Sequence, residues 1–305
     1  ESVLLNCAVK NVQNAKLAED GFYRVELPSS LYNCSLAANI NTTEFYYSVI
    51  PKSMKDLYVS LGMAKYERPN VMHGLENRQI LKNMLCVRYQ SDKKGITVNE
   101  DALPVGYTYD KIMHKEDYDS LTPLERQAAL LEYAVLDEDG EKILEQQEKT
   151  FENGKSPSDD TITHGDLKIT ESDRASYKGS RLKGKKHGKI NLKFRTEKKS
   201  ETYLVLKGLS SRSKVRKKQI LSVKSKKARF EIPMCAVSNE KEMNRDFIAV
   251  NLGVAQMGTC SLCFHKSHTY KLNDMEIRGI SESFIKEQTK ERREESMTEV
   301  KQSTN

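Results

Sequence analysis

The stretch that decides the fold is the basic segment KGSRLKGKKHGKINLKFRTEKKSETYLVLKGLSSRSKVRKKQILSVKSKKAR, residues 178–229. It holds 20 lysines and arginines against two acids, a net charge of +18, whereas the whole chain carries only +7. A folded surface tolerates such repulsion when something neutralises it. Phosphate is the commonest neutraliser, because basic side chains displace the counterions condensed on a nucleic acid. The segment is therefore predicted to contact DNA or RNA through the phosphate backbone.

The same segment alternates apolar and polar residues as strands do. The runs KINLKFR at 189–195 and TYLVL at 202–206 predict one hairpin, and residues 219–223 with 228–232 predict a second. If the apolar side chains face one way, the cations cover the open face of the sheet. The alternatives are a charge run that keeps the protein soluble and a disordered nuclear-import signal at 214–218. Disordered basic tails, however, lack this alternation of β-branched and aromatic residues.

The cations expected to meet phosphate lie on these strands and in their turns. They are Lys183, Lys185, Lys186, Lys189, Lys193, Arg195, Lys198, Lys199, Arg212, Lys214, Arg216, Lys217, Lys218, Lys224, Lys226, Lys227 and Arg229. Few aromatic residues interleave them, so backbone contacts are expected rather than stacking on bases.

Length and composition predict an α+β protein of several parts. With 305 residues the chain exceeds one ordinary domain. The predicted parts are a small α/β or β-rich N-terminal domain at 1–110, an acidic helical segment at 111–152, a linker at 153–179, a basic β-rich domain at 180–280 and a charged tail at 281–305. The linker is predicted because its Ser, Asp, Thr, Gly and Lys residues show almost no apolar periodicity.

The acidic part reverses the charge of the basic segment. Residues 100–160 carry a net charge of −11. Thr122 and Glu125 have the spacing of a capping box, which predicts a helix over 123–136, and a second helix is predicted over 141–151. The acids would then cover a solvated helix face, or alternatively fold back on the basic segment.

The segment from Glu44 to Tyr89 reads as strand, helix, turn, helix and strand. With Leu57, Leu61-Gly62-Met63 and Val71 in their places, it resembles the β-α-β-α-β unit of the large-subunit ribosomal protein thirty family, including its organellar members. The resemblance covers 46 of 305 residues and implies a ribonucleoprotein component. Ile50-Pro51-Lys52 and residues 78–82 depart from the family pattern, so no RNA-contacting residue is carried over. An ordinary α/β unit is the alternative.

One small cluster has the chemistry of a metal site. Cys260, Cys263, His265 and His268 place four ligands of the type that Zn²⁺ prefers within nine residues. The spacing differs from that of a standard zinc finger, in which a dozen residues separate the two ligand pairs. Core cysteines and surface histidines are therefore the favoured interpretation, and no metal or other cofactor is predicted.

The sequence lacks the motifs that indicate common enzyme classes or a membrane span. No phosphate-binding glycine loop, His-Glu-x-x-His or Gly-x-Ser-x-Gly motif occurs, so no enzyme activity is predicted. No run of 18 apolar residues occurs, and no membrane partner is expected. Six scattered cysteines indicate a reducing compartment. The predicted location is the nucleus, or the mitochondrion if a presequence preceded Glu1.

These signals together predict a non-catalytic nucleic-acid-associated structural protein. Its basic β-rich region would contact phosphate, and its N-terminal unit would dock protein partners in a larger assembly. Two alternatives remain open at this stage. One is a ribosomal or other ribonucleoprotein component, and the other is a protein-interaction scaffold for an acidic partner.

Overall fold

The structure is a computed structural model. It describes residues 10–13, 17, 21–27, 33, 35–36, 39–46, 51–64, 71–92, 94–146, 152–154, 157, 160–211, 219–226, 229–234 and 244–303. The chain divides into two compact units. Unit 1 comprises residues 1–48, 70–157 and 283–305, and unit 2 comprises residues 49–69 and 158–282.

Strands dominate the described residues. They are β1 (Arg24–Glu26), β2 (Glu44–Tyr46), β3 (Val71–His73), β4 (Val87–Asp92), β5 (Gly95–Val98), β6 (Lys111–His114), β7 (Ala134–Leu136), β8 (Glu152–Asn153), β9 (Ile162–Lys178), β10 (Arg181–Ser211), β11 (Gln219–Ser225), β12 (Arg229–Met234), β13 (Asn244–Phe264), β14 (His268–Lys271) and β15 (Asp274–Ser281). The helices are α1 (Lys52–Ser60), α2 (Gln79–Met84), α3 (Lys115–Ser120), α4 (Pro123–Glu132), α5 (Glu138–Gln146) and α6 (Glu282–Ser303).

Unit 1 combines small sheets with most of the helices. Strand β4 pairs in parallel with β1 and antiparallel with β5, and β6 pairs in parallel with β7 and β8. The predicted capping box is confirmed, since the backbone N–H of Thr122 donates to Glu125 Oε2 at 2.7 Å. The helix behind it is shorter than predicted, because the chain leaves the helix after Glu132 to form β7. The acidic segment is therefore not purely helical.

Unit 2 is built on a large antiparallel sheet. Among the described residues it has seven strands in the order β12-β11-β13-β10-β15-β9, and β14 and β9 also pair with β10. The first half of β10 lies between β9 and β13, and the second half lies between β13 and β15. Both ends of β10 pair with β14. A single long strand thus organises the whole sheet.

The predicted hairpin between residues 189–195 and 202–206 is wrong, because the two runs are consecutive halves of β10. The register against β13 shifts between Arg195 and Ser200. At this irregularity Thr196 and Ser200 are buried, and the Thr196 hydroxyl donates to the carbonyl oxygen of Lys198 at 2.8 Å. The polar run bends the strand and does not reverse it. The second predicted hairpin is confirmed as β11 paired with β12.

The core of unit 2 lies under the apolar side of these strands. Leu182, Ile190 and Leu192 of β10 are completely buried, and they pack with residues of β11, β12, β13 and β14. The helix α1 belongs to the same unit and is followed by Gly62, whose φ is +61°. The Gly62 carbonyl accepts the N–H of Ala249 at 2.8 Å. A Cβ at Gly62 would come within 2.8 Å of the Phe247 ring, so this approach to the sheet requires glycine.

The predicted α+β class is wrong, since the chain is mostly β with a large antiparallel sheet. Residues Ile162–Lys178, assigned above to a linker, form strand β9. That strand is largely exposed, so its polar composition concealed it from an argument based on apolar periodicity. The segment 44–89 does not form one β-α-β-α-β unit, because residues 49–69 belong to unit 2. The predicted domain boundaries remain predictions.

Candidate functional site

The predicted phosphate-contacting cations form an exposed surface only in part. Of the described members, Lys183, Lys185, Lys186, Lys189, Lys193, Arg195, Lys199, Lys224, Lys226 and Arg229 are exposed, and Lys198 is half-buried. The remaining six, Arg212, Lys214, Arg216, Lys217, Lys218 and Lys227, lie outside the described residues. The exposed side chains of β10 alternate with its buried leucines, isoleucine and phenylalanine, as strand geometry requires.

Strand β9 supplies acids opposite two of the three cations of residues 189–195, while Lys193 pairs with Lys168. Lys189 pairs with Asp173, and Arg195 pairs with Asp166. Asn191 pairs with Glu171 and donates to its Oε2 at 3.0 Å. Directly opposite residues lie on the same face at about 4.5–5.5 Å between Cβ atoms, so the acids offset the cations locally. Residues 166–173 and 189–195, here called the compensated stretch, carry a net charge of only +1.

Several other predicted cations also have acidic neighbours. The Nζ of Lys199 lies 2.7 Å from Glu282 Oε2, and the Nζ of Lys198 lies 3.0 Å from Asp160 Oδ1. Arg229 lies 3.6 Å from Glu231. Such exposed pairs contribute little to stability, but they lower the surface charge available to a distant anion.

The turn between β9 and β10 is different. Lys178, Arg181, Lys183 and Lys271 are all exposed there, and they are here called the hairpin-end cations. Arg181 pairs with Lys178 on one side and with Lys271 on the other, while Lys183 pairs with Ser176 and Thr269. In the described strand pairings no acid stands opposite any of these four cations. The hairpin end thus carries four adjacent positive charges without a cross-strand counter-charge.

The chain reaches this arrangement through a two-residue turn. Gly179 has a φ of +55° and, with Ser180, connects Lys178 directly to Arg181. Glycine at the first position of a two-residue turn is the usual solution for a tight hairpin. Residues 153–179 were predicted as a linker that ends inside this turn, and the predicted site did not include Lys178, Arg181 or Lys271. Reading KGSR at 178–181 as a hairpin turn would have paired the first two.

A pocket of about 380 Å³ opens at the hairpin end. Its described lining consists of Ser180, Arg181, Thr269, Tyr270 and Lys271. Tyr270 is only 1% exposed, and burial raises the pKa of its hydroxyl. The Tyr270 side chain packs in the core cluster, so the pocket combines two cations with the hydroxyl groups of Ser180 and Thr269, and its described lining contains no carboxylate.

The structure does not bring together the four candidate zinc ligands, for which core cysteines and surface histidines were the favoured interpretation. Cys260 lies in the core, where burial raises the pKa of its thiol to about 12. Cys263 is half-buried. His265, just after β13, has its Nε2 2.9 Å from Arg229 Nη2 and 3.1 Å from Ser222 Oγ. His268 Nε2 lies 2.8 Å from Ser211 Oγ. Each side chain is thus engaged separately.

A different group of potential metal ligands occurs in unit 1. The carboxylates of Asp110, Glu291 and Glu295 lie within 4.8 Å of one another. Arg292, completely buried, binds Asp110 Oδ1 and Glu295 Oε2 at 2.7 Å each. The guanidinium of Arg292 thus already neutralises two of the three acids. These carboxylates are therefore explained as ion-pair partners of a buried arginine.

Comparisons with known proteins bear on the function. A family model described as "Bacterial membrane protein YfhO" matches residues 6–305. No curated protein matches the chain. Among solved structures, a family GH115 4-O-methyl-α-glucuronidase with specificity for decorated arabinogalactans matches at 12% identity with a TM-score of 0.30. That match covers 42% of this chain and only 19% of the glucuronidase, and at this TM-score it supports no argument.

The family match overturns several predictions. A bacterial membrane protein family contradicts the predicted nucleic-acid-associated function and its ribonucleoprotein alternative. It also contradicts a nuclear location, and with it the mitochondrial alternative. Part of the physical reason for the error is visible in β9, whose acids lie opposite Lys189, Asn191 and Arg195 of the basic segment. Among the described residues, no helix is both long and apolar enough to cross a bilayer.

Proposed function

This chain belongs to the YfhO family of bacterial membrane proteins, and we propose that its unit 2 is a non-catalytic module that binds an anionic membrane surface through the hairpin-end cations. The observation that carries the proposal is the contrast in charge along β10. Two of the three β10 cations of the compensated stretch, Lys189 and Arg195, have acids opposite them, whereas Arg181 has only cations opposite it.

The chemistry of the surface fits anionic lipid headgroups. Each lysine or arginine held near an anionic bilayer contributes about 1 kcal/mol of attraction, and the effect falls off within a Debye length of about 10 Å. Four adjacent exposed cations at one end of a sheet can approach a surface together, because the β9–β10 turn projects between them. Cations that face acids on the neighbouring strand contribute less to such attraction.

Co-sedimentation with vesicles tests the proposal. The 305-residue chain is expected to sediment with phosphatidylglycerol vesicles and to remain in solution with phosphatidylcholine vesicles. The triple variant Arg181→Gln, Lys183→Gln and Lys271→Gln should lose about 3 kcal/mol of binding, on the order of 100-fold in affinity. Rising salt should weaken the wild type strongly and the variant little.

The matched control removes the same charge from the compensated stretch. Lys189→Gln, Lys193→Gln and Arg195→Gln together should change the affinity less than tenfold, because three acids face that region. Equal losses in the two triple variants, or equal binding to both kinds of vesicle, would overturn the proposal.

A further inference from the structure

The pocket at the hairpin end has the size of a binding site for a small polar group. Its volume of about 380 Å³ falls in the range of ligand pockets, which hold about 300–1,000 Å³. It opens at the junction of β14 with the first residues of β10, where Arg181 stands directly opposite Lys271. Both cations line it.

The pairing of Arg181 with Lys271 opposes folding. Like charges directly opposite each other on adjacent strands are destabilising, and Lys178 on the other side of Arg181 adds a third positive charge. No acid within 4.0 Å relieves these three residues in the described part of the chain. An anion seated between Arg181 and Lys271 would offset the repulsion. Arginine is suited to this role, because its planar guanidinium can donate two parallel hydrogen bonds to a phosphate.

The neutral groups of the pocket select for an acceptor. Ser180 and Thr269 add two hydroxyl donors to the two cations. Two cations and two hydroxyl donors match the oxygens of a phosphate group, which at neutral pH act mainly as acceptors. Tyr270 packs in the core cluster with Leu182, its partner on β10, so its hydroxyl is not one of these donors.

We infer that this pocket binds one phosphate monoester or diester headgroup, held by Arg181 and Lys271 and by the hydroxyl groups of Ser180 and Thr269. The inference rests on the proposed membrane-binding function, and it adds a defined site to a general attraction of charges. The phosphate group can belong to a lipid of the bilayer or to a soluble ester, and the experiment separates these two sources.

The experiment measures binding of inorganic phosphate and glycerol 1-phosphate by calorimetry, together with the thermal midpoint Tm. The wild type is expected to bind glycerol 1-phosphate and to gain several degrees in Tm at about 100 times Kd. Lys271→Glu should abolish binding yet raise the Tm of the free protein by about 1–4 °C, because it replaces a like-charge pair with an ion pair. A lowered Tm of the free variant would contradict the like-charge repulsion on which the site is inferred and would overturn the proposal.

The two proposals fail in different ways. If the chain binds glycerol 1-phosphate but no phosphatidylglycerol vesicle, the pocket stands with a soluble ligand and the membrane-binding function is wrong. If the vesicles bind through the hairpin-end cations while neither phosphate nor glycerol 1-phosphate binds, the surface attraction stands and the pocket assignment is wrong. Binding of phosphate that survives Lys271→Glu overturns the pocket whatever the vesicles show.

Discussion

Residues 178–183 and residues 189–195 lie on the same β9–β10 hairpin, and each run contains three cations, but their neighbours differ. The cations at 189 and 195 face Asp173 and Asp166, whereas Arg181 faces Lys178 and Lys271. Charge counted along the sequence is therefore a poor measure of surface charge in a sheet. The surface charge depends on the residue that the strand register places opposite each cation. In the compensated stretch that residue lies 15 or more positions away along the sequence.

The largest predicted effect concerns the core that both runs share. Leu182 and Leu192 are completely buried in the same cluster of apolar side chains. Leu182→Ala and Leu192→Ala are each expected to cost about 2–5 kcal/mol of unfolding free energy, as buried leucine truncations do. Chemical denaturation monitored by circular dichroism measures the loss. A cost below 1 kcal/mol for Leu182→Ala alone would mean that the hairpin end is packed independently of the compensated stretch.

The second prediction converts the compensated stretch into a binding surface. Neutralising its acids with Asp166→Asn, Glu171→Gln and Asp173→Asn raises the net charge of residues 166–173 and 189–195 from +1 to +4. The variant should gain up to about 3 kcal/mol of affinity for phosphatidylglycerol vesicles.

The control for this gain has the same global charge. Glu116→Gln, Asp117→Asn and Asp119→Asn neutralise three acids of the exposed α3 positions in unit 1. An equal gain in both variants would show that net charge of the chain matters and that the position on the sheet does not.

The sequence predicted part of this arrangement and missed the rest for identifiable reasons. The capping box at Thr122 and the β11–β12 hairpin are local patterns, and both are confirmed. Strand β9 was missed because it is polar and largely exposed, so it has no apolar periodicity. The single strand β10 was read as a hairpin because Thr196 to Ser200 has turn composition, although Thr196 and Ser200 are buried. Pairing partners, which decide the charge pattern, are not local information.

The third prediction concerns the polar bridge of the compensated stretch. Asn191 donates to Glu171 Oε2 at 3.0 Å and accepts from the Ser261 hydroxyl at 2.8 Å, which joins three strands. Asn191→Ala should cost about 1 kcal/mol of unfolding free energy, as the loss of such hydrogen bonds does. Lys183→Ala, at the hairpin end, should cost nearly nothing or stabilise slightly. Equal costs would contradict the difference between the two regions.

The smallest predicted effect is a pH dependence from the histidine beside the hairpin end. His268 lies opposite Gly184, and burial lowers the pKa of its imidazole below the ordinary value. The unfolded chain therefore binds a proton more readily than the folded chain does. Stability from this group is fully present above the unfolded pKa of about 6.5 and is lost as the pH falls through that value towards the folded pKa.

His268→Gln should flatten the decline in unfolding free energy between about pH 7 and pH 5. His265→Gln, just after β13, is the comparison, since burial also lowers the pKa of His265 while Glu231 nearby favours its protonation and Arg229 and Lys224 oppose it. If the titration curves of wild type and His268→Gln are parallel, the imidazole is not held neutral by burial. The hydroxyl of Ser211, 2.8 Å from Nε2, would then accept a hydrogen bond from the charged ring, and the border of the hairpin end would carry a further positive charge at low pH.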